Sequence, residues 1–220
     1  MKILVTGSSR GIGEEICTKL SKLGHEVIAP SRSELNLASY PSIIEFIKNL
    51  DTDFDGLVNN AGLNHIESYT NISLEQYNET MMVNCTAPFL LSQTLIRHSF
   101  LPKRFGRIVN IGTIWLKHPR EGRTTYTLSK AALESLTKSL AIEFGREGIL
   151  SNMISPGIVD TDLTRLNNSA QEIEMLSKLN SIERLISKSD IASMVNFLLT
   201  ENKVINGQNI FIDGGFKGGI

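Results

Sequence analysis

The sequence predicts an α/β fold: a doubly wound parallel sheet with helices on both faces, in a single domain spanning residues 1–220. Three observations predict it. Strand-like runs alternate with helical patterns along the whole chain. Several of those runs are continuously apolar, as strands covered on both faces are. No linker, internal repeat or low-complexity stretch divides the chain.

The elements follow in order. Ile3-Leu4-Val5 is the first strand, and Ile12 to Leu23 is a helix with Ile12, Ile16 and Leu20 at helical spacing. Val27-Ile28-Ala29 and Gly56-Leu57-Val58 read as strands. Ser73 and Gln76 form a capping-box pattern that opens a helix running through Met82 toward Leu95. Arg107 to Ile111 is a strand, and Thr125 to Phe144 is a helix with Leu133, Leu136 and Leu140 on one face. The strand Leu150 to Ile154, the helix Asp190 to Leu199 and the strand Asn209 to Ile212 complete the chain.

Composition narrows the function. With 23 acidic residues against 22 Lys and Arg, the net charge is -1, so neither nucleic acid nor an anionic membrane surface is an expected partner. Two cysteines, Cys17 and Cys85, make no disulfide framework and point to a reducing, cytoplasmic setting. No apolar run is long enough to span a bilayer, and no cleavable signal pattern opens the chain. Cys17 reads as a small buried hydrophobe. His25, His65, His98 and His118 lack metal-ligand spacing, so no catalytic metal is expected.

The segment Thr6-Gly7-Ser8-Ser9-Arg10-Gly11-Ile12-Gly13 joins the first strand to the first helix. Gly7 permits a tight turn, Gly11 lets backbone N–H groups approach a pyrophosphate, and Gly13 lets the helix pack against the sheet. Tyr126 and Lys130 lie four residues apart on one helix face. A tyrosine with its ordinary pKa near 10 is a sluggish acid at neutral pH. A neighbouring ammonium stabilises tyrosinate and lowers that pKa.

The G-x-x-x-G-x-G turn after a threonine, Asn59-Asn60-Ala61-Gly62 after a strand, and Tyr126-x-x-x-Lys130 occur in one order. Pro156-Gly157, Gly207-Gln208 and Asp213-Gly214-Gly215 follow. Together they resemble the short-chain dehydrogenase/reductase family over essentially the whole chain. The resemblance implies a three-layer Rossmann fold and hydride transfer between a nicotinamide cofactor and a carbonyl or alcohol. It implies catalytic roles for Tyr126 and Lys130, with Thr113 standing thirteen residues before the tyrosine where the family prefers serine. Asn84 falls where the family has a helix asparagine that supports a proton-relay water. Gly7, Ser9, Arg10, Gly11, Ile12 and Gly13, with Asn60, Ala61 and Gly62, would hold the cofactor. A backbone group of Ile158, after Pro156-Gly157, and the Thr161 hydroxyl would meet its carboxamide.

Within the resemblance, the acidic position that selects NAD is Ser31, followed by Arg32, and Arg10 precedes Gly11. Two guanidiniums there suit a 2′-phosphate, so NADP(H) is the expected cofactor. Only Ser33-Glu34-Leu35 separate this point from Asn36-Leu37, which resemble the family's adenine-contacting pair. The helix after the second strand is therefore expected to be deleted and the third strand reduced to a short edge piece. Trp115 and His118 are candidate substrate-pocket residues, and Thr164 to Ser169 reads as a mobile loop acting as a lid. The expected substrate is a small carbonyl compound or an acyl group. A 3-oxoacyl-acyl-carrier-protein reductase is an alternative; Arg104 stands where such enzymes hold the carrier, but the second such place is Glu147, beside Arg146. A non-catalytic NADP(H) sensor is a further alternative. The resemblance also implies a homodimer or homotetramer through the helices at Ser73–Leu95 and Thr125–Phe144.

Overall fold

The computed structural model describes residues 1–166 and 168–218. Six parallel strands form the main sheet in the order β2-β1-β3-β4-β5-β8: β1 (Lys2–Val5), β2 (Glu26–Ile28), β3 (Gly56–Asn59), β4 (Gly106–Ile111), β5 (Ile149–Pro156) and β8 (Asn209–Ile212). A two-residue pair, β6 (Val159–Asp160) with β7 (Ile186–Ser187), stands apart from it. Helices α1 (Gly11–Lys22) and α9 (Lys188–Thr200) cover one face; α2 (Tyr40–Lys48), α4 (Ala87–Leu95) and α6 (Thr124–Phe144) cover the other. This is the doubly wound fold read from the sequence.

Side-chain alternation explains the two layers. Ile3 and Val5 of β1 enter the cluster with Ile16, Leu20, Ile191 and Val195, while Leu4 enters the one with Ile43, Leu91 and Leu95. In the same way Val58 and Val109 face one layer, and Leu57 and Ile108 the other. A period of two in strands buried on both sides leaves no polar face.

The chain leaves β1 toward β2 on one side and returns to β3 on the other. That reversal opens a crevice beyond the carboxyl ends of β1 and β3.

Four expectations need correction. The short edge strand is missing: residues 31–39 form turns and coil, so β2 is itself the sheet edge. The sequence reading passed over α2, although Ser39 accepts a hydrogen bond from the Ser42 N–H and Pro41 sits in the first turn. Ile43, Phe46, Ile47 and Leu50 of this segment pack on the core at helical spacing, a signal that was there to be counted. β5 runs on to Pro156, so the Pro-Gly pair begins inside the strand rather than after it. The loop expected at 164–169 begins as the last turn of α7 (Asp162–Leu166) and ends at the cap of α8 (Ala170–Lys178); Asn167 lies outside the described residues.

The helix expected from Ser73 has its capping box and opens as α3 (Leu74–Met81), but it carries π-turns at Met82–Thr86 and Ile96–Phe100 before α5 (Leu101–Lys103). Prolines explain both. Pro88 and Pro102 have no N–H for the carbonyls four residues back, those of Asn84 and His98. Each such residue sits inside a π-turn.

Among the described residues no helix is long and apolar enough to cross a membrane, and no group of three or more His, Cys, Asp or Glu is placed to hold a metal ion. Cys17 packs on the core, and burial pushes its thiol pKa up to about 11.

Candidate active site

The crevice is a cavity of about 630 Å³. Its walls are the turn after β1, the segment after β2, the turn after β3, the end of β4, the first turns of α6 and the segment after β5.

Hydrogen bonds lace the turns after β1 and β3 together. The Thr6 hydroxyl accepts from the N–H groups of Asn60 and Ala61, both at 3.2 Å. The Asn60 amide donates to the Thr6 and Gly7 carbonyls at 3.0 and 2.8 Å. Two glycines are obligatory here. A Cβ on Gly13 would lie 2.1 Å from the Gly7 carbonyl oxygen, and one on Gly7, which has φ +69°, would lie 2.7 Å from Ala61 Cα. Gly11 instead has φ +64° and meets only Thr161, at 3.9 Å. The backbone is therefore open where a phosphate must approach. An elongated cavity with this cradle at one end fits a dinucleotide.

A buried chain of amides carries the opposite end. Asn59 donates to Asn110, which donates to Thr137, which donates to the Leu133 carbonyl, each at 2.8 Å. This chain fixes α6 against β3 and β4, and α6 presents Tyr126 and Lys130 to the cavity.

Lys130 is 2 % exposed, and its ammonium donates to the Ile111 carbonyl at 2.7 Å. Burial alone depresses its pKa to about 8. Its Nζ is 5.9 Å from the centre of the Tyr126 ring. The expectation that Lys130 pulls the Tyr126 pKa down is corrected. Burial raises that pKa, and the opposing influences are the Thr113 hydroxyl and the Arg123 guanidinium. Lys130 faces a backbone carbonyl and is not among the groups that shift the Tyr126 pKa. Thr113 accepts the Trp115 N–H at 3.3 Å, which leaves its own hydroxyl proton to donate elsewhere.

Asn84 stands behind this group and does not line the cavity. Its side chain accepts the Leu63 N–H at 2.8 Å and donates to the Leu63 carbonyl and the Ser129 hydroxyl. Ser129 in turn donates to the Tyr126 carbonyl at 2.7 Å. Both N–H donors of the Asn84 amide are engaged in bracing the turn after β3 against the first turn of α6.

The remaining expected residues divide. Ser9, Arg10, Ile12, Ser31, Arg32, Asn36, Leu37, Ala61, Gly62, Pro156, Gly157 and Thr161 all line the cavity, as does Trp115. Ile158 does not line it, and its carbonyl accepts the Ile186 N–H. His118 does not either; its ring packs on Phe216 at 5.2 Å between centroids. Arg104 precedes β4, at the end of the sheet opposite the cavity, and pairs with Glu147 at 2.7 Å.

Sequence reasoning passed over Glu34 and Arg123. Glu34 accepts from the Ser31 N–H at 2.8 Å and from the Ser31 hydroxyl at 2.7 Å, which lowers its pKa. The neutral position thus carries a carboxylate from three residues away, in a spacing typical of turns that could have been noticed. Arg123 is a half-buried cation three residues before Tyr126.

Fold and cavity together define a dinucleotide-binding Rossmann protein, and relatives make the class specific. A family model described as "Enoyl-(Acyl carrier protein) reductase" matches residues 36–217. A 3-oxoacyl-[acyl-carrier-protein] reductase FabG of Haemophilus influenzae is 36% identical, covering 96% of each chain. Among solved structures, a 4-hydroxyisoleucine dehydrogenase complexed with NADH superposes with TM-score 0.91 at 28% identity, covering 100% of this chain and 99% of that one. A blue fluorescent protein from a metagenomic library, in complex with NADPH, does so with TM-score 0.86 at 30% identity, covering 98% and 97%. The chain belongs to the short-chain dehydrogenase/reductase family.

Proposed function

We propose that the protein is an NADP(H)-dependent oxidoreductase that interconverts a carbonyl and an alcohol, with Tyr126 as general acid and base. One observation carries the reading: Thr113, Tyr126 and Lys130 converge on the cavity whose other end is the Gly7–Gly13 cradle. The cofactor would lie with its pyrophosphate at Gly11, its adenine at Asn36 and Leu37, and its carboxamide near Pro156, Gly157 and Thr161; when bound it supplies or accepts the hydride. Tyr126 and Thr113 both donate to the substrate oxygen. As the carbonyl carbon is reduced, the phenolic proton passes to that oxygen and the alcohol forms. The Lys130 ammonium keeps two N–H groups beyond its bond to Ile111, for ribose hydroxyls. The phenol then regains a proton from solvent. In the reverse direction tyrosinate accepts the alcohol proton.

Arg10 and Arg32 line the adenosine end, and neither forms an ion pair among the described residues. They support NADP(H). Glu34 opposes it, because a 2′-phosphate must take the Ser31 N–H and hydroxyl in its place. A small carbonyl substrate is preferred over a carrier-bound one, since Arg104 is already neutralised by Glu147. A sensor without turnover is disfavoured by the intact Tyr126–Lys130 pair. Exposed Leu74, Tyr77, Phe89 and Leu128 on α3, α4 and α6 suit a homodimer or homotetramer in the cytoplasm.

Loss of NADPH absorbance over a panel of ketones, keto sugars and acyl thioesters tests the reading. Turnover of at least one class supports it. NADPH binding with no turnover of any class overturns it in favour of a sensor.

A further inference from the structure

Two arginines outside the lining of the cavity stand against its Trp115 wall, and among the described residues no carboxylate pairs with either. Trp115 lines the cavity, and its ring is pinned edge-on by Phe216 at 6.2 Å. The guanidinium carbons of Arg120 and Arg123 lie 5.5 and 5.3 Å from the centre of that ring. Arg123 is half-buried and immediately precedes α6, whose first turn carries Tyr126. Among the described residues neither arginine forms an ion pair or donates a hydrogen bond.

Holding two like charges together, one of them half-buried and without a carboxylate, opposes folding. The cation–π contacts offset part of that cost but leave both sets of N–H donors open. Burial first, and Arg120 after it, lower the Arg123 pKa, and Arg123 opposes the burial that raises that of Tyr126.

We infer that Arg123 and Arg120 form an anion subsite and that the substrate is a ketone, or the matching alcohol, carrying a carboxylate away from the reacting carbon. Planar guanidiniums bind carboxylates through paired N–H donors. Trp115 would cover the hydrocarbon between carboxylate and carbonyl, and the bound charge would relieve the repulsion between the arginines. The inference deepens the proposed function and rests on that reading for its catalytic half.

Trp115 is the chain's single tryptophan, so its fluorescence reports this place alone. The probes are 4-oxopentanoate and 5-oxohexanoate, each beside its methyl ester, with enzyme saturated in NADPH. The acids are expected to change Trp115 emission saturably and the esters only weakly. The kcat/KM ratio of acid to ester is expected to be about tenfold or more, as for hydrogen bonds to a charged group. Arg123→Gln should bring that ratio toward one through KM, Arg120→Gln should lower it less, and Arg123→Lys should restore part of it. If the arginines only brace the tryptophan, Arg123→Gln lowers acid and ester alike. That outcome overturns the inference, as does an acid series with no advantage over its esters. Selective binding of the acids without turnover would instead leave the subsite standing and remove the hydride-transfer reading.

Discussion

The two ends of the cavity are built differently. At the catalytic end, Asn59, Asn110, Thr137, Asn84 and Ser129 are buried and bonded to one another or to backbone across four elements. At the adenosine end, residues 31–38 stand in a turn whose side-chain hydrogen bonds are short-range: Ser31 donates to Glu34 and bonds Ser33, Ala38 N–H donates to Asn36, and Asn36 N–H reaches only to Ser42 at the start of α2. Moving a residue at the first end breaks contacts in β3, β4 and α6 at once. At the second end a side chain can change within its own turn. On the proposed function, reaction chemistry is held by the whole fold, and the choice between cofactors by a few neighbouring residues.

The largest expected effect is at the rigid end. Tyr126→Phe should lower kcat by about three orders of magnitude, the middle of the range for general acid catalysis. Its NADPH affinity, measured by titration, should be unchanged. An active Phe variant would assign the proton to another group. Next, Thr113→Val keeps the shape and removes a donor to the developing oxyanion. It should cost roughly 3 kcal/mol, about a hundredfold in rate. Thr113→Ser should remain near the parent rate and melting temperature, while the Val variant, which loses the acceptor for the Trp115 N–H, should melt somewhat lower. A folded Val variant at full rate would show that Thr113 only caps the turn at Ile114–Leu116.

The adenosine end should respond in degree and in both directions. Arg32→Asp should shift the NADPH-to-NADH affinity ratio toward NADH by roughly tenfold, the scale of one charge-assisted bond. Glu34→Gln should move it the other way by severalfold, since the amide yields the Ser31 donors more readily to phosphate. Equal affinity of the unaltered protein for both cofactors would break the argument from Arg10 and Arg32.

The smallest expected effect concerns pH. Lys130 loses its charge as pH rises through about 8, so carbonyl reduction should decline above that value. Stability should move oppositely. The folded chain releases this proton before the unfolded chain, whose lysine has its ordinary value of 10.5. The contribution of Lys130 to stability therefore grows between about pH 8 and 10.5. A rate profile and a melting profile falling together through pH 8 would contradict the assignment.

What was legible in the sequence tracks this division. Gly7, Gly11, Gly13, Asn60, Tyr126 and Lys130 were readable because backbone geometry and proton chemistry admit few residue types there. Both strand faces were readable because alternation in Ile3-Leu4-Val5 leaves no polar side. The hold of Glu34 on Ser31 was not readable because it is made within a turn that no periodicity reports. The Lys130 contact with Ile111 was not readable because a backbone carbonyl carries no residue identity. The missing edge strand has a similar cause: Leu35 is buried without belonging to any regular element.

That missing strand has a consequence for association. β2 ends the sheet with a row of backbone donors and acceptors that no neighbouring strand takes up. Such an edge is a template on which another extended chain can grow. Here it is only three residues long, Glu26–Ile28, and its opening residue is charged. Lys2 on the adjoining strand ties Glu26 and Asp51 across that corner, so a neutral chain seeking to pair meets fixed charges first. The shortened crossover thus brings with it a requirement for solubility. Replacing Glu26 with an apolar β-branched residue would leave the pocket untouched and would turn the border of the sheet into a site of self-assembly.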